Sequence, residues 1–68
     1  MNELQEAHQR VTEITALIEI QRQLIEKLDF EGDDTTSAHI VLDSLRLSLS
    51  LSVKERARLR SLQTVVAA

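Results

Sequence analysis

Two arms with apolar residues at helical spacing meet at one turn, Gly32-Asp33-Asp34-Thr35-Thr36-Ser37. Gly32 is the only glycine and there is no proline, so nothing else in the chain strongly interrupts a helix. One turn between two matched arms reads as an αα-hairpin. The expected elements are helix 1 at about 3–29, the turn at 30–34 and helix 2 at about 35–65, in one helical-hairpin domain over 1–68.

In the first arm the apolar residues alternate at intervals of three and four. The row is Leu4, Ala7, Val11, Ile14, Ile18, Gln21, Ile25, Leu28, and only Gln21 breaks it. This is the heptad seam of a coiled coil. A helix of this span is roughly 40 Å long at 1.5 Å per residue. Glu3, Glu6 and Glu13 lie towards its start, where the helix dipole favours acids. Leu17 and Leu24 lie beside the seam and Ile20 further round, so the apolar arc is wider than one partner helix covers. Gln21 has two readings: a solvated seam residue, or a buried polar group that sets register or oligomeric state.

In the turn, Gly32 suits the left-handed position after a helix end. Asp34 is the best cap for the second helix, with Asp33 as the alternative; its carboxylate can accept the N–H of Thr36 or Ser37. Phe30 is expected to fold back over the end of the hairpin. Asp29, Glu31 and Asp33 have the spacing of the first ligands of a calcium loop. The pattern fails because Gly32 precedes Asp33 and the twelfth position, which requires glutamate, is Ile40.

The second arm is ambiguous locally. Leu45 to Val53 alternates apolar and polar, which alone describes a strand. Leucine favours helix, no turn signal bounds the segment, and the chain offers no partner strand, so helix is expected. One helix face then carries Ala38, Val41, Leu42, Leu45, Leu49 and Leu59, matching the first seam. The other carries Ile40, Leu47, Leu51, Leu62 and Val65. A helix apolar on two sides is usually buried on two sides, and a two-helix hairpin covers only one.

A chain of 68 residues buries a modest core and usually needs a staple. With no cysteine, a disulfide and a thiolate metal site are excluded, and oligomerisation remains. The hydrophobic share of 43% and charged share of 28% fit a folded protein. A net charge of −3 gives no general attraction to nucleic acid or anionic membrane. No apolar run approaches the roughly 20 residues of a membrane span, and the acidic start does not resemble a signal peptide. A cytoplasmic location is expected on these grounds.

Lys54, Arg56, Arg58 and Arg60 form the one basic cluster. Antiparallel pairing around the turn sets Glu3 near Arg60 and Glu6 near Arg56 or Arg58, so an intramolecular role is expected. Nucleic-acid binding is the weaker alternative, since no aromatic interleaves the cluster. His8 and His39 fall at opposite ends of the hairpin and cannot share a metal in one copy; His39 could pair with Asp43. No nucleophile–base pair, phosphate loop or metal triad occurs. No enzyme activity, catalytic residue, cofactor or metal is expected.

Leu24-Ile25, Leu28, Gly32, Asp34-Thr35, Ala38, Leu42, Ser48-Leu49, Leu51, Arg56, Arg58 and Leu59 together resemble a group of short bacterial proteins, mostly of unknown function. The likeness covers about half the chain and centres on Gly32-x-Asp34-Thr35-x-x-Ala38. Ser52 stands where the likeness often has histidine. The resemblance implies a helical hairpin and brings no activity or ligand.

The expected fold is therefore all-α, an antiparallel two-helix hairpin that dimerises into a four-helix bundle. The expected role is a protein-interaction or regulatory module that self-associates. Leu17, Ile20, Leu24, Ile40, Leu47, Leu51, Leu62 and Val65 form the expected interface, with Gly32 and Asp34 as the structural turn and cap. The alternative partner is a helix of a different protein.

Overall fold

A computed structural model describes residues 2–67, with side chains to residue 65. Met1 and Ala68, the ends of the expected 1–68 domain, lie outside the described residues. Two helices, α1 (Glu3–Phe30) and α2 (Thr36–Ala67), pack against each other as an antiparallel hairpin. The segment from Leu45 to Val53 is helical, so its alternation puts leucines on two sides of α2 rather than on one face of a strand. The molecule is a rod of 56 × 17 × 13 Å with a radius of gyration of 16.1 Å. A compact chain of this length would have about 11 Å.

Local chemistry sets the ends of the helices. The Asn2 side chain accepts the Gln5 N–H at 2.8 Å and the Gln5 side chain accepts the Asn2 N–H at 3.1 Å, a reciprocal capping box. At the other end of α1, the Asp33 N–H donates to the Leu28 carbonyl at 2.8 Å and the Gly32 N–H to the Asp29 carbonyl at 3.1 Å. This bond pair is the Schellman closure, and it needs a left-handed residue between helix and loop. Gly32 supplies it with φ +76°.

A methyl group on Gly32 would meet nothing within 4 Å. Gly32→Ala is therefore expected to lose only the left-handed backbone preference, about 1–2 kcal/mol. Gly32→Asn should lose less, because asparagine tolerates this region. Urea titration of the two variants measures the difference.

The seam between the helices is regular. The residues of α1 withdrawn from solvent are Leu4, Ala7, Val11, Ile14, Ile18, Gln21, Ile25 and Leu28, the row that the spacing predicts. On α2 the corresponding row is Thr35, Ala38, Leu42, Leu45, Leu49, Ser52, Arg56 and Leu59, with Glu55 beside it. This corrects the sequence reading twice. Val41 is 47% exposed, one residue off the three–four row. Ser52, which the apolar pattern passes over, is buried, and Arg56 is half-buried.

Among the described residues, Ala7, Ala38, Leu42 and Leu59 are the buried apolar ones, and none is a large side chain wholly withdrawn from water. Gln21 is not solvated. Its Nε2 donates to the Ala38 carbonyl across the hairpin at 2.9 Å in a half-buried setting. A directional bond inside a mostly apolar seam pins the stagger of the helices, as buried polar residues do in coiled coils. Phe30 does not fold back over the turn: it is 93% exposed, because it ends α1 on the side away from α2.

Candidate interaction surface

At the open end of the hairpin a cleft of about 210 Å³ is lined by Glu3, Glu6 and Arg10 of α1 and Glu55, Arg58 and Leu59 of α2. The cleft identifies which flanks of the two helices share one broad side of the rod. Steps of seven residues then trace that side toward the turn. On α1, Glu3 and Arg10 lead to Leu17 and Leu24, and Glu6 and Glu13 lead to Ile20. On α2, Glu55 connects Val41 with Leu62, and Arg58 connects Leu51 with Val65. Leu47 lies one helical turn before Leu51, and Ile40 seven residues before Leu47.

All eight expected interface residues are exposed in the hairpin, with Leu47 at 64% and Leu51 at 58%. The other broad side differs in character. It carries His8, Thr15, Arg22 and Asp29 on α1 and His39, Arg46, Val53 and Arg60 on α2, all exposed. The surplus apolar surface is thus one-sided. The sequence reading placed Leu17 and Leu24 beside the α1 seam and the α2 residues opposite theirs; the cleft registers Leu17, Ile20, Leu24, Leu51, Leu62 and Val65 to one side, with Ile40 and Leu47 on the adjoining outer edge of α2. A heptad labelling of both arms contains this information once the faces are registered.

Within the basic cluster Arg58 pairs locally. Arg58 donates from Nε and Nη2 to the two Glu55 carboxylate oxygens at 2.9 and 2.6 Å. The expected pairing of Glu3 with Arg60 and Glu6 with Arg56 or Arg58 is replaced by this (i, i+3) fork on α2. It forms because a planar guanidinium one turn from a carboxylate can engage both oxygens. Glu3 and Glu6 still line the same cleft as Arg58. Glu19 and Arg22 pair at 3.8 Å on the exposed surface of α1, a contact worth little. His39 directs Nδ1 to the Thr35 carbonyl at 3.0 Å rather than to Asp43, and His8 is exposed. Among the described residues, no three His, Asp or Glu side chains come together as a metal site. No helix of the described residues is long and apolar enough to cross a membrane.

Asp34 caps α2 from one position further out than the cap residue proper. The Thr35 carbonyl receives the first helical bond, from the His39 N–H at 2.9 Å. The Asp34 carboxylate accepts the Thr36 hydroxyl at 2.7 Å and the Thr36 N–H at 2.9 Å. These bonds hold its carboxyl below the ordinary aspartate value, and the Arg58 fork likewise lowers Glu55.

A carboxyl group whose pKa is lower folded than unfolded adds stability above its unfolded value, and loses it as pH falls through the folded value. The melting temperature is accordingly expected to fall on acidification below the unfolded aspartate value of about 3.9. Asp34→Asn should remove part of that fall by lowering the melting temperature at neutral pH toward its acid value. Circular dichroism melts between neutral and strongly acidic pH measure both quantities.

Comparison with protein-family models, with curated proteins and with solved structures found no match to this chain.

Proposed function

We propose that this chain is a small non-enzymatic interaction module that self-associates through the apolar broad side of the hairpin, forming a homodimeric four-helix bundle. The observation that carries the reading is the one-sided surface of Leu17, Ile20 and Leu24 with Ile40, Leu47 and Leu51, all exposed in the single hairpin. Apolar side chains gathered on one side of so small a rod mark an association surface.

Area supports a second copy as the occupant. The hairpin exposes 5201 Å². A compact monomer of 7.7 kDa exposes about 4,300 Å² by the usual scaling of surface with mass. The excess, roughly 900 Å², matches the about 800 Å² that each partner buries in a standard interface. Two sided hairpins stacked on their apolar sides form a four-helix bundle, with the polar sides outward.

Association makes folding depend on concentration. The melting temperature is expected to rise by several degrees between micromolar and hundred-micromolar chain. A melting temperature that stays constant over this range would overturn the reading.

A further inference from the structure

We infer that the two hairpins of the bundle run with both Gly32 turns at the same end, about a two-fold axis parallel to the rod, so that α1 of each hairpin lies against α2 of the other copy. The inference rests on the reading of the hairpin as a self-associating module and adds the arrangement of the copies.

Along the apolar broad side the composition changes with height above the turn. At 1.5 Å per residue, Leu17, Ile20 and Leu24 and also Ile40, Leu47 and Leu51 fall within about 23 Å of the turn. Beyond that height the side is charged, and Arg10 of α1 at about 30 Å and Glu55 of α2 at about 29 Å line it with their neighbours. Glu13 and Glu6 of α1 stand near 26 and 36 Å, and Lys54 and Arg58 of α2 near 27 and 33 Å.

A two-fold axis along the rod leaves every residue at its own height and exchanges the helices across the interface. Leu17 and Ile20 then meet Leu47 and Leu51 of the second copy. Glu13, Arg10 and Glu6 face Lys54, Glu55 and Arg58 of the second copy. One operation satisfies both the apolar half and the charged half, and the two-fold repeats each contact.

An axis across the rod satisfies one half only. With full overlap, the charged half of each hairpin lies on the apolar half of the other, where Lys27 is the one charged partner, for Glu6, and the remaining carboxylates lose water unpaired. Sliding the copies until only the apolar halves overlap removes that cost. It also leaves Leu62 and Val65 bare, and it shortens the contact well below the length that a standard interface of about 800 Å² per partner needs.

Spin-label distances test the arrangement directly, because the chain has no native cysteine. Glu31→Cys and Gln63→Cys, made separately at exposed sites, place labels about 40 Å apart along the rod. With the axis along the rod, each label meets its copy at the same height. Both distances are then expected to stay within the bundle width, below about 30 Å for helices spaced 8–10 Å apart. With any axis across the rod, the two displacements along the rod sum to at least about 80 Å, so one distance must exceed about 40 Å. A dimer with one such long distance overturns the arrangement and leaves self-association standing. A one-chain mass for both labelled proteins overturns self-association itself.

Discussion

Leu47→Glu combined with Leu51→Glu is expected to convert the proposed dimer to single hairpins. Both side chains point away from α1 and are more than half exposed in the hairpin, so the seam does not lose a contact. Glutamate is a good helix former, which keeps the local propensity of α2. In the dimer the change removes four leucines at no less than about 1.5 kcal/mol each. The loss of about 6 kcal/mol is roughly four powers of ten in the dissociation constant. The mass of the variant by light scattering checks this, with Val53→Glu as the control. Val53 lies on the opposite, polar side, and its variant should keep the mass of the wild type. An unchanged mass for the leucine double variant would reject the assigned face.

Leu42→Ala is the second large effect, and it acts on the seam. Leu42 is 5% exposed, between Ala38 and Leu45 in the row that faces α1. Truncating a buried leucine costs about 2–5 kcal/mol through lost transfer energy and the cavity left behind. A 68-residue chain has a total stability of about 3–10 kcal/mol at the usual value per residue. The variant should therefore lose about a fifth of its stability or more, with a melting temperature lower by about 12–24 °C for a loss near 3 kcal/mol in so small a domain. Val53→Ala, at an exposed position, should change stability by no more than about 0.5 kcal/mol. Urea denaturation of the two variants under one condition gives the comparison. A similar small cost at both sites would show that the seam does not hold the hairpin together.

The sequence pattern made the hairpin and the α1 seam legible because aliphatic residues fill that row almost without a break. The α2 seam was less legible because its occupants are mixed. The same three–four spacing runs from Ala38 through Leu42, Leu45 and Leu49 to Ser52, Arg56 and Leu59, but hydrophobicity alone skips the serine and the arginine. It substitutes Val41, which is apolar but sits off the row. A small serine can be buried where two helix backbones approach closely. An arginine can lie half-buried because its stem is apolar while its head reaches water.

The role of Gln21 turned on a contact that one arm cannot reveal. Its amide meets the Ala38 carbonyl only when the hairpin closes with this stagger. Phe30 was misread for a related reason. An apolar residue beside a turn faces inward only if the helix phase at its end permits, and Leu28, two residues earlier, already occupies the seam. The sidedness of the surplus leucines also needed the fold, because heptad positions on two arms share a side only once their mutual register is known.

We propose that a second copy on its apolar side completes the single hairpin. The mass of the unmodified protein in solution at micromolar concentration, measured by light scattering, tests it most directly. The expected mass is twice the 7.7 kDa of one chain, and a sharp mass of one chain at that concentration would overturn the proposal.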